Sequence, residues 1–286
     1  VRLREVVLRD AADAVLARVP MIETQLSPRG LILRREVLPQ TITLRGAELA
    51  LRRNRDGTVA MAFATATEGS GRIAGSTPGL AALLQEFDVL FARRPLEALQ
   101  QVRVEGLILN FDDARAGRSW TVDDGQFTLD LTDGASRLRG TLSVLSGRDY
   151  VTTLQFAYDS PGGSPAAQVA VTVLNAAAAD IATQAPVLAW LSVLNAPISA
   201  TLRAELDDNG DLSQFHAALK LGSGAVQPVA GAPPLRFDGV RANLAFDPAA
   251  GRITFSRLSV QSDWGAINGT GTAWLGDCLL YTSDAA

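Results

Sequence analysis

The chain has one histidine, His216, so any Ser-His or Cys-His nucleophile would have to be built on it. It stands in Gln214-Phe215-His216-Ala217. Alternation of side chains along a strand turns it away from Phe215 and Leu219, which predicts a solvent-facing histidine. A histidine metal site needs further ligands of this kind, and the sequence supplies none. The only cysteine is Cys278. Asp207-Asp208-Asn209-Gly210-Asp211 has the acidity of a calcium loop, but its glycine falls too early and no glutamate closes it twelve positions along. It reads as a hairpin turn, and Asp123-Asp124-Gly125 reads the same way. Glu105, Asp112 and Asp113 are carboxylates of the type that pair across a glycosidase cleft, yet nothing in their spacing sets two of them on opposite walls. No glycine loop suited to phosphate follows a strand and opens a helix. Trp120, Trp190, Trp264 and Trp274 are scattered singly and read as core or sheet-edge packing rather than as a stacking platform. The expectation is a protein without catalytic residues, metal or cofactor.

The elements around these residues carry the stronger signal. Apolar and polar residues alternate in short runs that stop at glycine, aspartate or asparagine and then restart. Phe127, Leu129 and Leu131 alternate in one run, Leu142 and Val144 in the next, and Phe156 falls in a third. Ile198 and Leu202, Phe215 and Leu219, and Leu244 and Phe246 repeat the pattern later. A period of two makes each run a strand with one apolar and one wetter face. The predicted fold is mostly β: a long, twisted, mostly antiparallel sheet forming an open groove. Residues 1–65 supply N-terminal hairpins, with Asn54-Arg55-Asp56-Gly57 as a turn. Strands fill 102–174 and 198–277, and a Pro/Gly/Ser loop occupies 160–165. An amphipathic helix is predicted near 77–92, entered at Thr77-Pro78 and ended by Pro95. Two short helices hinged at Pro186 are predicted near 176–194.

Composition narrows the function classes. A net charge of −4 with both signs interspersed excludes the basic stripe of a nucleic-acid binder, so no nucleic acid is expected as a partner. No apolar run approaches the roughly 18–20 residues that a membrane span needs. Val1 opens within an alternating run, as a fragment of a longer protein would. Residues 278–286 share neither the composition nor the rhythm of what precedes them and back-translate to the end of a transposon-based sequencing adapter. They are expected to be an artefact, leaving 1–277 as the native part, without a cysteine.

Two stretches carry a resemblance. The first runs from Leu16-Ala17-Arg18-Val19-Pro20 through Ile42-Thr43-Leu44-Arg45-Gly46-Ala47-Glu48-Leu49 to Asp56-Gly57. The second runs from Ala185-Pro186-Val187-Leu188-Ala189-Trp190-Leu191 through Ala196-Pro197-Ile198 to Leu206-Asp207-Asp208-Asn209-Gly210. Together they resemble the AsmA-like superfamily of bacterial envelope proteins, with the YhdP branch nearest. The resemblance implies a periplasmic body tied to the inner membrane by an N-terminal helix. Its apolar β-groove would conduct phospholipid acyl chains between inner and outer membranes and so support the outer-membrane barrier. The lining it implies here is Phe127, Leu129, Leu131, Leu142, Val144, Phe156, Ile198, Leu202, Phe215, Leu219, Leu244 and Phe246. The alternative is a structural or adhesin-like β-rich envelope protein without lipid cargo, against which the unequal hairpin lengths count.

Overall fold

A computed structural model describes residues 1–9, 15–28, 38–55, 59–61, 98–132, 134–162, 164–184, 186–229 and 231–274. The expected helix near 77–92 and the segment 278–286 lie outside them. The described chain is mostly β, as the alternation predicts. It divides into two compact units, Val1–Gly163 and Ser164–Ala286, at the Pro/Gly/Ser loop.

In the first unit the strands are β1 (Arg2–Arg9), β2 (Val15–Leu26), β3 (Pro39–Arg45), β4 (Glu48–Arg53), β5 (Val59–Met61), β6 (Gln101–Asp113), β7 (Arg118–Thr132), β8 (Ala135–Leu145) and β9 (Thr152–Ser160). From β9 the order runs β8, β7, β6, β3, β2, with β1 on β2, β4 also on β6, and β5 on β4. Pairing of Arg53 with Val59 and of Leu51 with Met61 makes β4 and β5 the hairpin predicted around Asn54. Pairing is antiparallel except where β6 meets β3 and β4, which run in its own direction. Parallel neighbours need a long connection, and the stretch between β5 and β6 supplies one.

The alternating run Thr41–Leu51 is not one strand but two, β3 and β4, broken at Gly46, whose φ is +67°. Conversely, Asp123-Asp124-Gly125 is not a turn. β7 runs straight through it, with Asp124 at φ +51° and the register to β8 slipping between Asp123 and Gln126. Both departures belong to one feature. Glu5 on β1 (φ +52°), the Gly46 break, Gly106 on β6 (φ +67°) and Asp124 on β7 fall on one line across the strands. Pro20 on β2 sits on the same line, across from Glu5 and 3.5 Å from where a Cβ on Gly46 would stand. The ladder survives the kink, because the Gly46 amide donates to the Glu105 carbonyl at 2.9 Å and the Ile108 amide to that of Ala47 at 2.9 Å.

An extra residue in a strand bends it and flips the facing of everything beyond. The apolar residues change parity at this line to match. Ala17 and Val19 give way to Ile22 on β2, Leu44 to Ala47 and Leu49 across the β3–β4 break, Val104 to Leu107 and Leu109 on β6, and Val122 to Gly125 and Phe127 on β7. The apolar row therefore stays on one face across the crease. Val19, Ala47, Val104 and Leu107 form a buried cluster there, with Val6, Ile22, Leu44, Leu49, Leu109 and Phe127 packed against it.

The second unit contains β10 (Ala167–Ala177), α1 (Ala178–Ala182), a 3₁₀ helix (Pro186–Val193), β11 (Leu194–Asn195), β12 (Pro197–Leu206), β13 (Leu212–Leu221), β14 (Gly224–Val226), β15 (Leu235–Phe237), β16 (Gly239–Asp247), β17 (Arg252–Ser262) and β18 (Gly265–Trp274). The two short helices meeting at Pro186 are those expected from the sequence. Proline has no amide hydrogen to donate, so it opens the second helix instead of extending the first. The main sheet runs β10-β12-β13-β16-β17-β18, and β11, β14 and β15 form a small sheet of their own. Asp207 caps the β12–β13 hairpin as predicted: its Oδ1 accepts from the amides of Asn209 (2.8 Å) and Asp211 (3.0 Å), and Gly210 takes φ +83°.

Replacing Gly106 with valine forces a branched side chain into the left-handed region at the crease. Gly106→Val is expected to lower unfolding free energy by about 2 kcal/mol or more, read from denaturant titration. Gly269→Ala on β18, where an added Cβ meets nothing within 4 Å, should stay within about 0.5 kcal/mol of the parent. Equal stability of the two variants would show that the crease carries no conformational constraint.

Candidate functional site

The carboxylates weighed for acid–base chemistry are matched to arginines by the parallel register. Arg45 pairs with Glu105, Arg52 with Asp112 and Arg53 with Asp113 along β3–β4 and β6. Arg45 Nε lies 3.5 Å from Glu105 Oε2 and Arg52 Nε 3.5 Å from Asp112 Oδ2. Asp113 is completely buried, and its Oδ1 accepts from Arg53 Nε at 3.0 Å and from the amides of Arg115 (3.0 Å) and Ala116 (3.1 Å). A second guanidinium bond joins Arg53 Nη2 to Asp113 Oδ2. Burial raises the Asp113 pKa, but the Arg53 hydrogen bond, the Ala116 amide, the Arg53 charge and the Arg115 amide outweigh it and hold the carboxyl below its ordinary value. Asp112 and Asp113 are successive strand residues and face opposite ways. These groups clamp a turn and do not converge on a substrate position.

His216 is exposed on β13, opposite Arg203 and Ala245 and on the face away from Phe215. Among the described residues no three His, Cys, Asp or Glu side chains gather as metal ligands. Trp120 packs within the sheet, stacked on Phe111 with ring centroids 5.7 Å apart. Trp190, Trp264 and Trp274 are instead 65%, 63% and 70% exposed. They sit on the 3₁₀ helix, the β17–β18 turn and the outermost described strand, positions that the spacing of single tryptophans does not reveal.

The predicted apolar residues share faces. In the first unit Phe127 pairs with Gly140 and Gly140 with Phe156. A Cβ on Gly140 would overlap the Phe156 ring, so the ring lies flat over the bare backbone. Leu129 and Leu131 continue the row along β7, while Val144 and Leu142 flank it on β8, opposite Val122 and Leu154. All six predicted side chains here are half-buried, and the main strand-to-strand contacts of this unit follow the ladder.

In the second unit Leu202 pairs with Ala217 and Ala217 with Leu244, Ala204 with Phe215 and Phe215 with Phe246, and Ala200 with Leu219. Leu202, Leu219, Leu244, Phe215 and Phe246 are half-buried on one face. Ile198 differs. It belongs to a closed core with Ala178, Ala182, Leu191, Leu194, Ala196 and Phe237, so protein covers that end of the face.

At this covered end lies a cleft of about 730 Å³ that sequence reading missed. Asn195, Gln227, Arg236, Phe237, Asp238 and Asp263 line it, drawn from β11, the segment after β14, β15 and the β17–β18 turn. Trp264 Nε1 donates to the Arg236 carbonyl at 3.3 Å and the Asp238 amide to that of Gln261 at 2.7 Å, which ties the walls together. No motif marks these residues, because their proximity depends on the small sheet folding over the end of the large one.

Because its folded-state pKa lies below the unfolded one, Asp113 stabilises the fold above the unfolded value near 3.8. That contribution is lost as pH falls from there through the lowered folded value. Asp113→Asn should remove this loss from the acid limb of a stability-against-pH curve. Arg53→Met should lower stability at neutral pH by about 3 kcal/mol by leaving a buried carboxylate unpaired. An Arg53→Met curve that overlays the parent would show the pair to be solvated. No protein-family model, curated protein or solved structure matches the chain.

Proposed function

We propose that the chain is a section of a periplasmic lipid conduit whose apolar strand faces carry phospholipid acyl chains between the inner and outer membranes of a bacterium. In the full-length protein a membrane helix would anchor it to the inner membrane, as in the AsmA-like proteins that its sequence resembles. The observation that carries this reading is an apolar row kept on one face through a crease and continued by the half-buried side chains of Phe127, Leu142 and Phe156. Half-buried apolar side chains gain from further cover, and an acyl chain supplies it. Each methylene moved from water onto such a face gains about 0.8 kcal/mol, so chains can enter without a directional contact and slide without a fixed stop. The reading assigns no catalytic role: His216 stands on the wetter face, and Glu105, Asp112 and Asp113 are paired with arginines.

The test is photo-crosslinking. A benzophenone side chain at Leu202 or Phe215 in the purified chain, irradiated with phospholipid vesicles, is expected to give lipid adducts by mass spectrometry. The same group at His216, on the opposite face, is expected to give none. Leu202→Arg should reduce the lipid captured at Phe215. Protein-only adducts at both apolar positions would overturn the proposal and favour a face that packs against protein.

A further inference from the structure

The geometry points to a binding site for a zwitterionic phospholipid headgroup in the cleft between the small sheet and the β17–β18 turn. The inference deepens the acyl-chain reading and rests on it for the tail of the ligand. Its first support is charge. Arg236, Asp238 and Asp263 line one cleft, and among the described residues none of the three makes a salt bridge. On the polar face of the first unit, by contrast, Arg2, Glu23, Arg45 and Glu105 form a row of paired charges. A cation and two carboxylates in one recess suit a ligand that carries an anion and a cation a few bonds apart. A phosphodiester bearing an ammonium group is such a ligand, with Arg236 taking the phosphate oxygens and Asp238 or Asp263 the amine. Asn195 and Gln227 add uncharged hydrogen-bonding groups. The volume falls within the roughly 300–1,000 Å³ of small-ligand sites.

The second support is what adjoins the cleft. Phe237 belongs both to its lining and to the core cluster that holds Ile198, against which Leu221 and Val240 pack. Those residues begin the apolar rows of β12, β13 and β16, so only this core cluster separates a headgroup in the cleft from the face. The surroundings are also free of charge: none occurs from Ile181 to Leu202 or from Leu221 to Leu235, in a chain that is 20% charged. Trp190, Leu235 and Trp264 stand out from these segments and the adjoining turn at 65%, 63% and 63% exposure. A free amino acid or a soluble phosphate ester has no use for exposed apolar side chains that stand within two positions of the lining residues Ser192, Arg236 and Asp263. A lipid leaving a bilayer does, because tryptophan favours the boundary between headgroups and hydrocarbon.

The test is flotation of the purified full chain with vesicles. Zwitterionic vesicles of phosphatidylethanolamine and phosphatidylcholine should capture it, and anionic phosphatidylglycerol vesicles should capture about tenfold less. Arg236→Gln and Asp263→Asn, both at exposed positions and checked for unchanged melting, should each weaken zwitterionic capture by about tenfold, the loss of one charged hydrogen bond. Soluble phosphoethanolamine should compete. Equal capture by both vesicle types, or unchanged capture by both variants, overturns the inference. Binding of soluble phosphoethanolamine without vesicle capture overturns it too and leaves a site for the free ester. The two readings separate at Leu202. Lipid adducts there that persist without headgroup selectivity sink the cleft and spare the trough, whereas selective capture without adducts sinks the trough.

Discussion

A sheet can keep a continuous apolar face only if every strand agrees on which side is dry. The first unit bends along a line crossed by β1, β2, the β3–β4 junction, β6 and β7, and each inserted residue would swap the two faces beyond it. The sequence answers with a spacing of three in place of two at the same line, from Val19 to Ile22, Leu44 to Ala47, Val104 to Leu107 and Val122 to Gly125. Without that shared slip, Leu109 and Val122 would point away from Val104 and Phe127. β8 needs no such slip: Leu138, Gly140, Leu142 and Val144 keep one parity, and Gly125 gives Leu142 the room to pack against it.

Much of this was legible in advance. Alternation located the strands, Asp207 and Gly210 located a hairpin, and Pro186 located the joint between two short helices. The misreadings share one cause. Asp123-Asp124-Gly125 and Gly46-Ala47 have turn chemistry, and a residue at positive φ looks the same in a sequence whether it ends a strand or bulges within it. What separates the cases is the parity of flanking apolar residues, which does change at both places. The parallel pairing of β6 had no such marker, since strand direction depends on the route of the intervening chain. The charged cleft was also invisible, because Asn195, Arg236 and Asp263 become neighbours only through a three-stranded sheet of two- and three-residue strands.

Charge is distributed as strictly as apolarity. Exposed rows such as Arg2–Glu23–Arg45–Glu105 cross several strands, each pair contributing little by itself while opposing a register slip that would place like charges together. The buried pair of Arg53 and Asp113 has a different part. It sits where β4 and β6 end on the apolar side, and the carboxylate also holds the amides of Arg115 and Ala116. The greasy row therefore finishes on a satisfied ion pair instead of on open backbone, and lipid on that face would meet a polar stop.

The parallel ladder also sets the order in which the first unit can assemble. β1 to β3 and β6 to β9 are meanders of neighbouring strands, and each can form from contacts close in the chain. Joining them requires β6 to find β3 and β4 at a separation of sixty positions, Arg45 against Glu105 and Arg53 against Asp113. Loop closure over that distance is the slow, late event in folding. On the ribosome, the N-terminal meander emerges well before its partner and must wait with one edge of β3 unsatisfied. When β6 arrives, only one alignment sets Gly106 beside Gly46 and gives each of three arginines its acid, so the crease that shapes the face also proofreads the last join.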